Sequence, residues 1–199
     1  MSSSTRIYHK YIQQYDELIG LVNESNKRIV KDEPDDLFMD HINLFSKSFM
    51  VLSVTYLESY LKEVCLLIVN YMNKKLLENP LPHNLINWSI LQGKHKDIQF
   101  KGFALNISSK DIDDGLSGNV HKTITLFSNL GIDLQSIDEF CNNKDKIANI
   151  VTKRNDIVHH NDEASDISFS DIISNIKVIK DYILTIDNEI ITYTSNKSI

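Results

Sequence analysis

The sequence predicts an all-α protein, an up-and-down bundle of four long helices. Apolar residues recur every three or four positions through four long segments, which is the spacing of one helix face. The chain has only six glycines and three prolines, too few for the glycine-rich turns of nucleotide-binding α/β folds or all-β sandwiches. No internal repeat is evident. Because 199 residues suit one domain, we expect residues 1–199 to form a single helical domain.

The first two predicted helices differ in their apolar patterns. The first spans 5–30 and carries its apolar residues on one face. These residues are Ile7, Tyr11, Tyr15, Leu18, Val22 and Ile29. Pro34 follows this helix. The second helix spans about 37–77 and is nearly encircled by apolar residues at 64–69, so we expect it to be the central helix of the bundle. Pro80 and its neighbours end it.

The region 81–118 contains four of the six glycines and is predicted to be an irregular insertion between the second and third core helices. We expect a short helix at 84–91 and an extended segment at 100–107. A basic cluster lies within it, formed by Lys94, Lys96 and Lys101. The acidic run 111–115 resembles a calcium loop, but its glycine falls one place early and no glutamate stands at the twelfth position. We therefore expect a solvated loop there.

Two further long helices complete the predicted bundle. A short helix at 120–130 precedes the third long helix, which spans about 144–160. The fourth spans 168–193, and its first turn can be capped by Ser168 or Ser170. An isoleucine ladder marks its buried face, formed by Ile172, Ile176, Ile179, Ile183, Ile186 and Ile190. Four amphipathic helices joined by short loops are typical of a helical bundle.

Charge and composition exclude several classes of protein. The net charge is −6, so nucleic acid cannot be held by bulk electrostatics and would need a local site. Cys65 and Cys141 form no disulfide framework or metal-binding spacing, and a reducing compartment suits them. The longest apolar run, 64–69, is too short to cross a membrane, and the N-terminus lacks the apolar stretch of a secretory signal. We therefore expect a cytoplasmic protein that does not interact with membranes.

The residues most suggestive of chemistry lie near the end of the third long helix, in the segment 153–162. Arg154 falls in the middle of the apolar stripe, where a charge must be paired or must face a cleft or an interface. Asn155 and His159 are four residues apart and share one edge of the helix. Arg154 and His159 are five apart, so a regular helix cannot direct both at one atom. Either the helix unwinds near His159, or two copies of the motif meet across a dimer.

A purely structural interpretation of the same residues is also open. Arg154 could be the partner of a buried carboxylate. The candidates are Glu58, Glu63 and Asp156. The pair His159 and His160 could simply end the helix, where histidinium favours the negative pole of the dipole. Metal binding by the two histidines with Asp162 and Glu163 is disfavoured, because adjacent histidines on a helix point apart. We expect neither a metal nor another cofactor.

The sequence Arg154-Asn155-x-x-x-His159 resembles the arginine–polar residue–x3–histidine signature of HEPN domains (higher eukaryotes and prokaryotes nucleotide-binding). As in that family, an amphipathic helix ends in the motif, and a short polar loop at 161–166 leads to a final long helix. The segment 56–63 of the second helix is similar to one in prokaryotic HEPN-like nucleases, especially the RiboL-PSP-HEPN and MAE-type groups. The resemblance extends over 45–77 and 144–193.

The resemblance implies a metal-independent endoribonuclease that acts as a homodimer, with two motifs facing each other in one cleft. His159 would be the general acid or base, because imidazole titrates near neutral pH. Arg154 would hold the scissile phosphate and stabilise its transition-state charge. Asn155 would bind phosphate or orient His159. The expected products are a 2′,3′-cyclic phosphate and a 5′-hydroxyl.

Three further residues are candidates for accessory roles, and the biological setting follows from the resemblance alone. The accessory residues are Glu58, Lys153 and His160. A toxin or anti-phage defence effector with an antitoxin or defence-system partner is implied. Some relatives carry a modified tyrosine where this chain has Asn161, so that regulation is not expected. The alternatives are a non-catalytic nucleotide-binding or dimerisation module, and a helical adaptor with no site.

Overall fold

The computed structural model describes residues 4–91, 99–116, 118–160 and 164–196. Within these ranges the chain is helical, and the predicted all-α bundle is confirmed. The helices are α1 (Arg6–Val30), α2 (Asp36–Asp40), α3 (Ile42–Glu78), α4 (His83–Leu91), α5 (Ser109–Gly115), α6 (Val120–Asn129), α7 (Asp138–His160) and α8 (Phe169–Asn196).

Helix α3 is the centre of the bundle, as its nearly encircling apolar residues predict, and it packs against α1, α7 and α8. Tyr15 of α1 donates its hydroxyl to the carbonyl of Ser53 at 2.9 Å. Tyr60 of α3 donates to the carbonyl of Ile183 in α8 at 3.1 Å. The predicted isoleucine ladder of α8 is fully buried. These contacts fix the position of α3 relative to the helices on either side.

Two predicted boundaries were wrong. The second predicted helix is divided, because His41 leaves the helical conformation between α2 and α3 (φ −120°, ψ 23°). Phe38 and Phe45 stack across this break with ring centroids 4.7 Å apart. Helix α7 begins at Asp138 rather than 144, because Phe140 is fully buried and anchors an additional turn.

The predicted irregular insertion is also partly wrong. The expected solvated loop at 111–115 is helix α5, which begins with a capping box between Ser108 and Asp111. Ile112 of this helix lies in the core, and Lys62 of α3 pairs with Asp113 at 2.7 Å. Helix α5 therefore covers the side of α3.

In the rest of the region 81–118, one predicted element is observed and another is not. The short helix α4 is confirmed at His83–Leu91. The extended segment expected at 100–107 forms no strand in the described part of the chain, where one isolated bridge joins Pro82 and Gly102. Lys94 and Lys96 of the basic cluster lie outside the described residues.

The two cysteines occupy different environments. Cys65 is fully buried in α3, and burial raises the pKa of its thiol to about 12. A thiol of that pKa is not a nucleophile at neutral pH. Cys141 is free and half-buried, with its Sγ 3.4 Å from the carbonyl of Gln135.

The start of α1 is tied to α8 by a buried carboxylate. Asp187 is fully buried; its Oδ2 accepts from the backbone N–H of Thr5 at 2.9 Å and its Oδ1 from the Thr5 hydroxyl at 2.5 Å. The same Thr5 hydroxyl caps α1 by accepting from the N–H of Tyr8. Burial, and then the Asp187 charge, raise the pKa of Tyr60 well above its usual range, so Tyr60 remains a donor beside Asp187.

We expect Asp187→Asn to lower the free energy of unfolding by roughly 1–3 kcal/mol, because an amide cannot accept all of these bonds and leaves a buried donor unsatisfied. Urea denaturation followed by circular dichroism measures the change. Asp181→Asn, on an exposed position of the same helix, should stay within about 0.5 kcal/mol of the parent. Equal losses in the two variants would contradict the assigned role of Asp187.

Candidate active site

The motif residues lie in the last turns of α7, which remains a regular α-helix through His160. The unwinding near His159 considered above is therefore not observed. Five residues at 100° each place Arg154 and His159 about 140° apart around the helix axis. Arg154 points toward α3, while His159 is exposed. One chain consequently does not direct both side chains at a single point.

Arg154 makes an ion pair with Glu58 of α3, its Nη2 donating to Oε1 of the carboxylate. The two side chains keep 15% and 27% of their surface exposed, so the pair is shielded but reachable from solvent. The Nε of Arg154 is buried and has no hydrogen-bond partner among the described residues. Of the three carboxylates that the sequence offered, the partner is Glu58; Glu63 instead binds Lys10 and Tyr11.

Glu58 lies at the edge of an open cleft of about 340 Å³. The cleft is lined by Glu58, Ser59, Lys62, Asp113 and Leu116. Gly118, a buried residue just before α6, lies against the side chain of Glu58. Glu58 is a predicted accessory residue because it lies in the segment similar to HEPN-like nucleases, whereas nothing in the sequence singles out Gly118. Only the fold brings these two distant positions together.

Lys153 points away from Arg154, toward α8. Its ammonium pairs with Asp166 at 2.6 Å, and 20% of its side chain is exposed. It lies on a groove of about 290 Å³ between α7 and α8. The groove is lined by Lys146, Asn149, Ile150, Lys153, Ser174, Asn175 and Val178. On an acidic protein, this lining carries two lysines and no carboxylate.

The remaining predicted residues lie on the outer part of the helix end. Asn155 is half-buried, and both His159 and His160 are exposed. The neighbouring Val158 is also 49% exposed, which leaves an apolar surface beside the histidines. Asn161, Asp162 and Glu163 lie outside the described residues. In the part of the chain that is described, no three metal-ligating side chains of His, Cys, Asp or Glu come together.

The fold and the motif together define the class of protein. The family model RiboL-PSP-HEPN matches residues 8–192, nearly the whole chain, so this protein belongs to the RiboL-PSP-HEPN family. HEPN domains are often ribonucleases and commonly dimerise. No curated protein and no solved structure gives a significant match. None of the described helices combines the length and the apolar character needed to cross a membrane.

Proposed function

We propose that this protein is a metal-independent endoribonuclease whose active site forms between two copies of the chain. The observation that carries the proposal is the arrangement of α7 within a HEPN fold. The guanidinium of Arg154 is held by Glu58, and the imidazole of His159 is exposed about 1.4 turns later in the same helix. Because Arg154 and His159 lie on different faces of the same helix, we infer that a second copy of the chain is needed to bring an Arg154 and a His159 to the same phosphate.

The proposed reaction is an internal transesterification. A base takes the proton of the ribose 2′-hydroxyl, the 2′-oxygen attacks the adjacent phosphorus, and the bond to the 5′-oxygen breaks. A proton supplied to that oxygen gives a 5′-hydroxyl and leaves a 2′,3′-cyclic phosphate. His159 is the proposed acid or base, because its imidazole is exposed to solvent and imidazole is the side chain that most often transfers protons in catalysis. Within one site, the same His159 can take the proton of the 2′-hydroxyl and pass it to the leaving 5′-oxygen, so each of the two symmetric sites needs one histidine.

Arg154 is the proposed electrostatic partner of the phosphate. A guanidinium donates several hydrogen bonds from a planar fork, which matches the charge that develops on the phosphate oxygens. The ion pair with Glu58 uses the Nη2 atom of Arg154, and 15% of the Arg154 side chain remains accessible to solvent. Asn155, half-buried on the same edge as His159, is placed to bind phosphate or to orient the imidazole.

The groove between α7 and α8 is the proposed path for the RNA strand. Lys146 provides positive charge, and Lys153 adds an ammonium that is paired with Asp166. Asn149, Ser174 and Asn175 provide hydrogen-bonding groups. Such a lining suits a sugar–phosphate backbone, whose contacts are mostly sequence-independent. The groove runs along α7, the helix that carries the motif, on a face different from that of Arg154. The proposed accessory role of Lys153 is therefore substrate binding, with its Asp166 pair fixing its position.

We expect Lys146→Glu to weaken binding of single-stranded RNA and to reduce the salt dependence of that binding, by about 0.7 in the slope of log K against log salt for each lost phosphate contact. Fluorescence anisotropy over a potassium chloride series measures the slope, with His159→Ala as background to prevent cleavage. Lys122→Glu, an exposed lysine of α6, makes the same charge change elsewhere. If both variants behave alike, the groove does not bind RNA.

The direct test of the proposed activity uses purified protein, single-stranded RNA and EDTA. We expect cleavage in EDTA, products ending in a 2′,3′-cyclic phosphate, and no cleavage of RNA that carries 2′-deoxy substitutions at the cut sites. Cleavage of the deoxy-substituted strand would contradict the role of the 2′-hydroxyl. Loss of cleavage in EDTA that added magnesium restores would contradict the metal-independent mechanism.

A second function is favoured by the ion pair itself. Because Glu58 already neutralises Arg154 and only 15% of the Arg154 side chain is exposed, a non-catalytic HEPN module that binds nucleotides or dimerises is the second candidate. This alternative predicts nucleotide binding or dimerisation without RNA turnover, and no difference in activity between the parent and His159→Ala.

The proposed setting is a toxin or anti-phage defence system in the cytoplasm, with an antitoxin or defence-system partner. On overexpression, the nuclease should arrest growth, and His159→Ala should relieve the arrest. Arrest that persists in His159→Ala would show that toxicity does not come from the proposed site.

A further inference from the structure

We infer that the turn at Gly118 holds the carboxylate of Glu58 in place, and that Glu58 in turn holds the guanidinium of Arg154 at its working position. Gly118 and Glu58 are thus positioning residues. The consequence for catalysis rests on the proposed function, but the mechanical coupling of the three residues does not.

The first observation is that one oxygen makes both contacts. Oε1 of Glu58 accepts from Nη2 of Arg154, and the same Oε1 lies 3.0 Å from the place where a Cβ on Gly118 would stand. The Cγ and Cδ of Glu58 lie 3.3 and 3.5 Å from that place. Contacts of 3.0 to 3.4 Å are tighter than nine in ten real Cβ contacts, so the Glu58 side chain would have to shift by a few tenths of an ångström. Any side chain at position 118 would therefore press directly on the atom that binds Arg154.

The second observation is that the turn cannot easily yield. Gly118 is buried and has a φ of +61°, a conformation that glycine adopts without steric cost. The next residue, Asn119, caps α6 by accepting from the N–H groups of His121 and Lys122 at 2.9 and 3.2 Å. On the other side, α5 is docked by the buried Ile112. The two helices on either side of Gly118, α5 and α6, are therefore anchored.

The third observation concerns the guanidinium. Its Nε is buried and has no hydrogen-bond partner among the described residues, and Glu58 is the carboxylate that meets it. Because the described residues hold the guanidinium of Arg154 through Glu58, the guanidinium can rotate when the Glu58 carboxylate moves. Moving Oε1 would therefore change the direction in which Arg154 presents its remaining N–H groups.

The test compares Gly118→Ala with Gly131→Ala. Gly131 also has a positive φ, +85°, and a Cβ there would stand 3.2 Å from a polar atom, the hydroxyl of Tyr193. Tyr193 lies near the far end of α8 from the motif, so the control carries similar backbone strain without touching Glu58. Gly118→Asn repeats the test with a residue that tolerates the left-handed region. Both variants at 118 put a Cβ against Glu58.

The primary measurement does not depend on catalysis. The chain has three arginines, Arg6, Arg28 and Arg154, so the Nε–H resonances are few, and Arg154→Lys identifies the relevant one. Because the Nε of Arg154 is buried, its proton should exchange slowly with solvent. We expect Gly118→Ala, Gly118→Asn and Glu58→Ala to speed this exchange roughly 10-fold or more, with Gly131→Ala like the parent. An unchanged rate in both variants at 118 would overturn the inference.

The second measurement is the rate of RNA cleavage. We expect Gly118→Ala to lower kcat roughly 10-fold or more, with a smaller change in KM, because a small misplacement of a catalytic group is costly. In a Glu58→Ala background the same substitution should have little further effect, since the atom that it displaces is absent. Full additivity of the two substitutions would overturn the inference. If no variant or parent cuts RNA while the exchange rates change as expected, the positioning contact stands and the proposed nuclease function fails.

Discussion

Replacing His159 with alanine is expected to lower the rate of RNA cleavage by roughly 10²-fold or more, because it removes the group that moves protons in the proposed reaction. The side chain is exposed at the end of α7, so its loss leaves no buried cavity and the fold should be retained. The measurement is single-turnover cleavage of a labelled RNA. A thermal melt close to that of the parent would establish that chemistry, rather than stability, has changed.

The control for this experiment is His121→Ala. His121 is also an exposed histidine in a helix, but it lies in α6 rather than at the motif. Its removal should leave the cleavage rate near that of the parent. If His159→Ala cuts RNA as fast as His121→Ala, then His159 is not the acid or base and the proposed mechanism is wrong.

The second large effect is expected from mixing two inactive chains. Arg154→Ala and His159→Ala should each be inactive as homodimers. In a mixed dimer, one symmetric site would take its arginine from one chain and its histidine from the other, so that one of the two sites is whole. Each mixed dimer should therefore recover up to about half of the parent activity. Co-expression with two affinity tags isolates the mixed dimer.

The same experiment discriminates between two ways of building the site. If each chain supplied its own Arg154 and His159, neither site of the mixed dimer would be complete, and it would remain inactive. A mixed dimer that carries both substitutions in one chain and none in the other is the matched control, since it then holds the one complete site. Inactive mixed dimers of the first kind beside active ones of the second would refute a shared site.

The parts of the fold that the sequence predicts are those governed by long periodic patterns. The isoleucine ladder of α8 repeats over about five helical turns, and every member is buried. Helix α5 shows why one short element was not predicted. It has seven residues, its burial depends on Ile112 alone, and its pairing with α3 uses Lys62, which is distant in sequence. A tertiary contact of this kind leaves no periodic signal.

For the candidate site, the sequence predicted that Arg154 needs a partner but not which residue the partner is. The place of Arg154 in an apolar stripe required a partner, and the sequence offered three carboxylates. Selecting Glu58 among them requires the relative position of α3 and α7, which depends on packing along both helices. The contact of Gly118 with Glu58 has the same origin, because a glycine before an Asn cap looks like any other turn in the sequence.

Neighbouring residues of α7 are tethered to different parts of the bundle, Arg154 to Glu58 in α3 and Lys153 to Asp166 beside the start of α8. A twist of α7 about its own axis would stretch both tethers at once. The two ion pairs therefore restrain rotation of α7 about its axis. The direction in which the exposed His159 points depends on these two pairs, which lie more than one turn earlier in the helix. Mutations that cut either tether would misdirect the imidazole without touching it.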